Sequence, residues 1–238
     1  MATRTLGTSD GPMDVYVSEP ANPRGAGVVV MQEAFGVNHH IRSVADRLAA
    51  EGYLALAPHL FHRTGDPLID YGDIGAAMSH IGALTGDGLA EDLDLTIGIA
   101  HEYGIDTAHI GVVGFCMGGS VSLFAATHVA LGAAVGFYGG GVTQGRMGLP
   151  PLLELAPTLM APFLGQYGDT DQSIPVEQVE LLRAALRAAP VPTEIVRYPG
   201  AGHAFHCDER PQAYHEPSAR AAWGRTLDWF ERYLVAGP

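Results

Sequence analysis

The sequence has 238 residues, of which 47% are hydrophobic and 16% are charged, and this balance excludes a disordered chain. Its formal net charge is −13, with 13 arginines and no lysine, so we expect neither nucleic acid nor an anionic membrane surface as a partner. The first residues lack an apolar export segment, and the longest apolar runs have only the length of a strand. We therefore expect a cytoplasmic protein without a membrane span.

Apolar runs typical of buried strands alternate with helical patterns along most of the chain. The predicted strands cover residues 27–31, 53–57, 109–114, 133–137, 163–167 and 194–198. Apolar residues at helical spacing predict a first helix that Gly52 ends, and further helices over 89–101, 120–127, 179–186 and 223–234. Residues before 27 are expected to add antiparallel edge strands. This alternation predicts an α/β fold, a mainly parallel sheet flanked by helices on both faces, in one domain over residues 1–238.

The segment 59–88 interrupts this alternation between the second and third predicted strands. It is rich in glycine and aspartate, and only Ile74, Ala77, Met78 and Ile81 repeat at helical spacing within it. Long connections of this kind in compact domains are usually functional or mobile, so we interpret the segment as lid-like.

A glycine-rich turn, residues 114–119 (Gly-Phe-Cys-Met-Gly-Gly), joins a predicted strand to a predicted helix. Strand, turn and helix in this order are the context of a hydrolase nucleophile elbow, with cysteine in the place of serine. Glycines are needed there because side chains would collide with the neighbouring strand and helix. The start of the helix favours a thiolate at Cys116, which we predict to be a nucleophile. The alternative is a packed thiol in a structural turn.

Two later loops carry candidate partners for Cys116. Asp169 and Asp171 follow the strand over 163–167, and His203 follows the last strand. Nucleophile, acid and histidine in this chain order are typical of α/β-hydrolases. His203 is expected to take the thiol proton and to return it to the leaving group, while Asp171 orients the ring. We favour Asp171 over Asp169, which in the alternative reading hydrogen-bonds its own turn.

Together with residues 32–38 (Gln-Glu-Ala-Phe-Gly-Val-Asn), these motifs resemble those of the dienelactone hydrolases, or carboxymethylenebutenolidases, over nearly the whole chain. The resemblance implies an α/β-hydrolase fold and cysteine-dependent hydrolysis of a small ester or lactone, and we expect no cofactor. It also implies that Glu33 lies beside the nucleophile and helps to form the thiolate. The backbone amides of Ala34 and Met117 match the family's oxyanion hole, where each donor contributes about a hundredfold or more in rate.

The expected substrate pocket departs from the family pattern. Family members hold a substrate carboxylate with arginines, one of them four residues after the histidine, where this chain has Cys207. No arginine or lysine lies between Arg63 and Arg146, which removes the obvious second candidate. We therefore expect neutral or weakly polar substrates, unless Arg63 or Arg146 folds over the site and binds an anion. The expected apolar wall consists of Phe35, Tyr138 and Phe205.

Other chemistries fit parts of the sequence. Histidines, a cysteine and an aspartate cluster at residues 203–208, but no complete ligand spacing is present, so we predict no metal site. A redox or ligand sensor using Cys116 and Cys207, a general carboxylesterase and an inactive binding protein of the same fold remain alternatives. We expect a monomer or a small homo-oligomer.

Overall fold

Six parallel strands and two antiparallel strands form one eight-stranded sheet in the computed structural model, which describes residues 2–236. In chain order the strands are β1 (Ala2–Thr8), β2 (Gly11–Ser18), β3 (Gly27–Met31), β4 (Leu54–Pro58), β5 (Ile110–Phe115), β6 (Ala133–Phe137), β7 (Phe163–Gly168) and β8 (Thr193–Tyr198). Their spatial order is β1-β2-β4-β3-β5-β6-β7-β8. β1 and β2 are antiparallel to each other, β2 is antiparallel to β4, and β3 to β8 run parallel. The predicted α/β fold is confirmed.

The sequences of the strands explain their positions in the sheet. Every residue of β3, β4, β5, β6 and β7 is buried, as expected for continuous apolar runs that helices cover on both faces. β1 alternates between exposed and half-buried residues at one edge, and β8 closes the other edge. The antiparallel edge strands expected before residue 27 are therefore present.

β4 and β5 each start one residue later than predicted, because a turn precedes each of them. β4 starts at Leu54 and not at Tyr53, because the Tyr53 amide still donates to the Leu48 carbonyl at the end of the first helix. Gly52 has a φ of 96°, the left-handed conformation that ends this helix as predicted. β5 starts at Ile110 because residues Thr107–His109 form a 3-10 turn.

Helices cover both faces of the sheet. They are α1 (His39–Ala50), α2 (Ile74–Gly82), α3 (Gly86–Glu102), α4 (Met117–His128), α5 (Leu152–Leu155), α6 (Val176–Leu186) and α7 (Glu216–Phe230). α3 to α6 pack in succession on one face, and on the other Arg47 of α1 stacks over Trp223 of α7. α3 begins before the predicted residue 89 because the Thr85 hydroxyl caps it by accepting from the Gly88 amide. No helix in residues 2–236 has the length and apolar character that a membrane span requires.

The segment 59–88 contains more regular structure than predicted. It holds a 3-10 turn (His62–Thr64), the predicted short helix as α2, and the first residues of α3. It lies against the loop after β3, where the Ile69 amide donates to the Phe35 carbonyl at 3.2 Å and Ala77 packs on Phe35. A Cβ on Gly36 would lie 2.7 Å from the Pro67 carbonyl oxygen, so this contact requires glycine. The segment therefore covers part of the carboxyl edge of the sheet.

Candidate active site

Four loops that follow parallel strands bring the predicted catalytic residues to one edge of the sheet. Glu33 follows β3, Cys116 follows β5, Asp171 follows β7 and His203 follows β8. Because these strands run in the same direction, their loops leave the sheet at its carboxyl edge, where ligands bind in open α/β sheets. The topology thus gathers side chains that are far apart in sequence.

Cys116 occupies a strained turn between β5 and α4. Its φ of 56° and ψ of −116° are unusual for a residue other than glycine, and its amide donates to the Phe137 carbonyl at 3.1 Å. A Cβ on Gly118 would lie 2.4 Å from the Met31 carbonyl oxygen, and one on Gly114 would lie 2.0 Å from the Gly118 carbonyl oxygen. No side chain fits at either position, which is the reason predicted for the glycines.

His203 and Asp171 form a hydrogen-bonded pair beside this turn. His203 Nδ1 lies 2.7 Å from Asp171 Oδ2, and Asp171 Oδ1 accepts from the amide and hydroxyl of Ser173 at 2.8 and 2.6 Å. Burial would lower the pKa of His203, but the hydrogen bond to Asp171 and the nearby Cys116 raise it to about 10. Burial would raise the pKa of Asp171, yet its bonds to His203 and Ser173 hold that pKa below the usual value. The imidazole is thus bonded to Asp171 and lies close enough to Cys116 for that group to affect its pKa.

Asp169, the competing acid, makes different contacts. Its Oδ1 accepts from Arg197 Nε at 2.7 Å, and Arg197 also pairs with Glu180 of α6 at 3.1 Å. Within residues 2–236, no hydrogen bond joins Asp169 to His203. The fold therefore brings Asp171 to the imidazole and directs Asp169 to an ion-pair network between β8 and α6.

The loop after β3 supplies Glu33 and Ala34. Glu33 is almost fully buried, its Oε1 accepts from the Tyr138 hydroxyl at 3.4 Å, and its Oε2 has no partner among the described residues. The Ala34 amide is also buried and donates to no acceptor in residues 2–236. The Met117 amide is the first of α4, so no preceding helical turn supplies it with an acceptor. Both amides are thus available near the Cys116 turn.

One known protein family matches nearly the whole chain. The model of the dienelactone hydrolase family covers residues 13–234. The chain belongs to this family. A “Putative carboxymethylenebutenolidase” of Salmonella typhimurium is 46% identical over 226 residues, which make up 93% of this chain and 83% of that protein. A carboxymethylenebutenolidase of Rhodococcus opacus is 32% identical over 98% of this chain and 91% of that protein.

Solved structures of the dienelactone hydrolase family share this fold. The “Putative Dienelactone Hydrolase” of Klebsiella pneumoniae has a TM-score of 0.85 and 38% identity, and the match covers 98% of each chain. A more distant α/β serine hydrolase homologue from Coxiella burnetii, at 19% identity and a TM-score of 0.65 over 92% of this chain and 96% of that one, shares the fold alone. The expected α/β-hydrolase fold is confirmed. The chain is a dienelactone-hydrolase-like hydrolase, and its family implies a small-molecule substrate.

Aromatic side chains border the site in this dienelactone hydrolase homologue. Tyr138 is fully buried at a φ of 39°, and its ring centroid lies 5.0 Å from that of His203. Phe205 packs on Tyr138 at 5.3 Å, and Phe35 packs on Tyr71 at 4.8 Å. Tyr71 was not predicted from the sequence. It lies near the site because segment 59–88 packs on Phe35, and no local pattern indicates that packing.

Arg63 lies in an ion-pair cluster at the β1–β2 side of the sheet. Its guanidinium contacts Asp10 at 2.7 Å, Asp92 at 2.8 Å and Glu91 at 3.1 Å. These carboxylates belong to the turn between β1 and β2 and to α3, and they occupy the guanidinium. Arg63 is thus a structural cation, which argues against the predicted contact with substrate.

Cys207, at the position of a family arginine, is fully buried. Its Sγ donates to the Tyr71 hydroxyl at 3.5 Å, and both Cys207 and Cys116 are free thiols. A small, weakly polar group therefore stands where the family resemblance implies an arginine. In the part of the chain that the structure describes, no group of three or more His, Cys, Asp and Glu side chains is arranged to hold a metal ion.

Two other arginines lie near the site without an ion-pair partner among residues 2–236. The guanidinium of Arg210 lies over the rings of Phe35 and Tyr71, 5.5 and 5.4 Å from their centroids, and its Nε has no hydrogen bond. Sequence analysis missed Arg210 because nothing in the pattern of its loop links it to Phe35. Arg146 borders a polar cavity of about 370 Å³ that reaches Ser173 of the Asp171 loop. Other polar side chains of this cavity are Thr143, Gln144 and Gln178.

Proposed function

We propose that this chain hydrolyses a small ester or lactone, with Cys116 as the nucleophile, His203 as the base and Asp171 as the residue that orients the base. The observation that carries the proposal is the position of His203, whose Nδ1 lies 2.7 Å from Asp171 Oδ2 and whose pKa the nearby Cys116 raises. Nucleophilic acyl transfer uses an imidazole between a carboxylate and a nucleophile in this way.

The first half of the reaction transfers the acyl group to sulfur. With its Nδ1 bonded to Asp171, His203 holds on Nε2 the proton that Cys116 gives up, a charged form that its raised pKa favours, and the thiolate attacks the carbonyl carbon. The electron pair of the C=O bond moves to oxygen, and the amides of Ala34 and Met117 stabilise the charge. The intermediate collapses, the C–O bond to the leaving group breaks, and His203 gives its proton to the alkoxide. A thioester on Cys116 and a free hydroxyl group result.

The second half of the reaction releases the acid. His203 takes a proton from a water molecule, whose oxygen attacks the thioester carbon, and the same two amides stabilise the new oxyanion. The C–S bond then breaks, and the proton held by His203 returns to sulfur. The chain regains its thiol, and one water molecule has been consumed.

Glu33 assists the ionisation of Cys116 in this proposal. Its buried carboxylate has an oxygen, Oε2, with no partner among the described residues, so it offers a second acceptor for the thiol proton. Tyr138 connects the two groups, because its hydroxyl donates to Glu33 and lies close enough to Cys116 for both to raise its pKa. Burial is the largest cause of that raised pKa, so Tyr138 stays neutral and acts as a donor.

We propose neutral or weakly polar substrates for this site. Tyr138 and Phe35 form an apolar wall, and Cys207 provides no charge-assisted hydrogen bond for a carboxylate. We also propose that residues 1–238 form one domain, because the eight strands belong to one sheet, and that segment 59–88 acts as a lid, since it covers Phe35. The proposed location is the cytoplasm, where thiols stay reduced, and the proposed state is a monomer or a small homo-oligomer.

The decisive experiment replaces the nucleophile and the base. We expect Cys116→Ala and His203→Ala each to lower the turnover of a chromogenic acetate ester by a factor on the order of 10³ or more, because these residues act as a unit. Circular dichroism checks that both variants are folded. Mass spectrometry of the His203 variant looks for an acyl group on Cys116. Near wild-type turnover by Cys116→Ala would contradict the assignment of the nucleophile.

The same assay separates a catalyst from a thiol sensor. A catalyst releases many product molecules per chain, whereas a sensor is modified once at its thiol. Modification of Cys116 without continued product release would therefore support the sensing alternative. Equal rates for many unrelated esters, without preference for lactones, would instead support a general carboxylesterase.

A further inference from the structure

The loop residues Ala34 and Phe35 pack against segment 59–88 and lie outside the main core. Both are almost fully buried, in a small apolar cluster that is separate from the core of the sheet. The third buried member of this cluster is Ala77 of α2. The partly buried residues packed on it, which also contact the main core, all belong to segment 59–88: Ile69, Tyr71 and Ile81. The burial of Ala34 and Phe35 therefore depends on this segment.

Phe35 is held at its backbone and at its side chain. Its carbonyl accepts from the Ile69 amide at 3.2 Å. Its ring meets the ring of Tyr71 edge-on, with centroids 4.8 Å apart, and the guanidinium carbon of Arg210 lies 5.5 Å from its centroid. The same guanidinium lies 5.4 Å from the centroid of Tyr71, so the three side chains contact one another. We call Tyr71 and Arg210 the Phe35 clamp.

Hydrogen bonds fix the Tyr71 ring of this clamp. The Tyr71 hydroxyl accepts from Asn38 Nδ2 at 3.0 Å and donates to Glu209 Oε2 at 3.1 Å. Asn38 is the N-cap of α1, and Glu209 belongs to the loop that also carries His203. The clamp therefore joins segment 59–88 to the start of a helix and to the loop of the proposed base.

The position of Phe35 matters because it follows Ala34, the source of one proposed oxyanion donor. A shift of Phe35 moves the backbone of Ala34, since only two dihedral angles separate neighbouring rigid peptide groups. On the other side of Ala34, the side chain of Glu33 is held by a long hydrogen bond from Tyr138, at 3.4 Å. An oxyanion donor must lie within hydrogen-bond distance of the developing charge, and a misplacement of about 1 Å can cost about a hundredfold in rate.

We propose that Tyr71 and Arg210 are positioning residues of this hydrolase: by clamping Phe35, they hold the Ala34 amide where it stabilises the oxyanion. The inference rests on the proposed function, because it assigns a support to one of the two oxyanion donors. Neither residue touches the reacting atoms in this role. The oxyanion hole is complete only while segment 59–88 lies over the site, so closure of the segment and catalysis are coupled.

A kinetic comparison separates this role from that of a pocket wall. Both halves of the reaction need the oxyanion hole, and its donors act in the transition state. We therefore expect Tyr71→Ala and Arg210→Ala each to lower kcat for a neutral acetate ester by a factor on the order of 10 to 10², with little change in KM. Tyr71→Phe keeps the ring contact with Phe35 and should retain most of the wild-type kcat. A raised KM with an unchanged kcat overturns the proposal and makes the clamp a binding wall.

Alkylation of Cys116 by iodoacetamide separates positioning from damage to the nucleophile. The reagent loses iodide from a saturated carbon, so no oxyanion forms and the rate reports the thiolate alone. We expect Tyr71→Ala and Arg210→Ala to be alkylated at least as fast as the wild type, as measured by mass spectrometry of the Cys116 peptide. A parallel fall in alkylation and hydrolysis overturns the proposal, because the damage would then lie at Cys116 or His203.

Met78→Ala is the matched control on α2. The Met78 residue is 51% exposed and lies outside the cluster around Phe35, so its loss should leave kcat at the wild-type value. Hydrogen exchange of the peptide that covers residues 32–38 should become faster in the two clamp variants and stay unchanged in this control. Equal exchange in all variants overturns the proposal, because the loop would then not depend on the clamp.

Circular dichroism checks that each variant is folded. Should Tyr71→Ala fail to fold, Arg210→Ala decides the question, because the Arg210 side chain is only half-buried and forms no ion pair within residues 2–236. Wild-type kcat in Arg210→Ala then overturns the role of the clamp. An active Cys116→Ala would instead overturn the proposed function, so the two failures are distinguishable.

Discussion

Asp171 determines which nitrogen of His203 is available to Cys116. Its Oδ2 bonds to Nδ1, so the second ring nitrogen is left to accept the thiol proton. Its Oδ1 is held by the amide and hydroxyl of Ser173, which prevents the carboxylate from rotating away. The Asp171 carboxylate is therefore fixed by its own loop before it positions the His203 ring.

We expect Asp171→Asn to lower kcat/KM by a factor on the order of 10³ to 10⁴, because an amide can donate to Nδ1 and stabilise the wrong tautomer. Asp169→Asn, the matched control, removes a partly exposed ion pair with Arg197. It should lower the free energy of unfolding by less than about 1 kcal/mol and leave kcat/KM near the wild-type value. Steady-state kinetics with one neutral ester compare the two variants. If Asp169→Asn lowered kcat/KM strongly while Asp171→Asn did not, the acid would have been assigned to the wrong aspartate.

At the scale of single residues, the sequence predicts that Cys116, Asp171 and His203 meet at one edge of the sheet, because each follows a strand and the chain order is informative. It could not find Arg210. The position of its guanidinium depends on aromatic rings that approach from other loops, and no local spacing records such an approach. The ion pairs of Arg63 were not predictable for the same reason, because the carboxylates that surround it come from two distant elements.

At the scale of elements, the close packing of β3, β5 and α4 determines which residues the nucleophile turn accepts. We expect Gly118→Ala to lower the free energy of unfolding by about 2 to 3 kcal/mol, because its Cβ would meet the carbonyl oxygens of Met31 and Gln32 at 2.4 and 2.5 Å. Gly98→Ala is the matched control on α3, where nothing lies within 4 Å of the added Cβ. It should stabilise the chain by about 0.5 to 1 kcal/mol. Urea unfolding measures both, and equal effects would mean that the turn can relax.

The strands and helices were predictable wherever apolar residues recur at the regular spacing of a strand or a helix. The buried strands and α2 appear where the pattern indicated, but the start of α3 was missed because its first turn is held by the Thr85 cap and contains glycines. Periodicity also could not show that segment 59–88 packs on Phe35. That contact depends on Gly36, whose missing side chain leaves room for the Pro67 carbonyl.

At the scale of the whole molecule, the net charge of −13 repels anions, and the distance over which it does so decreases as the salt concentration rises. We expect kcat/KM for a carboxylate-bearing lactone to rise severalfold as the Debye length falls from about 30 Å at 0.01 M salt to about 8 Å at 0.15 M. The neutral methyl ester of the same lactone serves as the control and should show little change. A fall in kcat/KM for the anion that disappears in Arg146→Ala would contradict this expectation and place an anion site in the cavity beside Ser173.

The strand order of the sheet also determines which strands lack a partner while the chain is being synthesised. β1 and β2 can pair as soon as they leave the ribosome, but the other edge of β2 stays unpaired until β4 has been synthesised. β3 pairs with β4 and β5, and both of these strands follow it in the chain. A nascent chain that ends before Pro58 therefore exposes an unpaired edge and an entirely apolar strand. Unpaired edges can pair with other chains and lead to aggregation, and they stay exposed for longer because strands far apart in sequence pair slowly. Chaperone protection is accordingly needed most while β3 is outside the ribosome and its two partners are still inside.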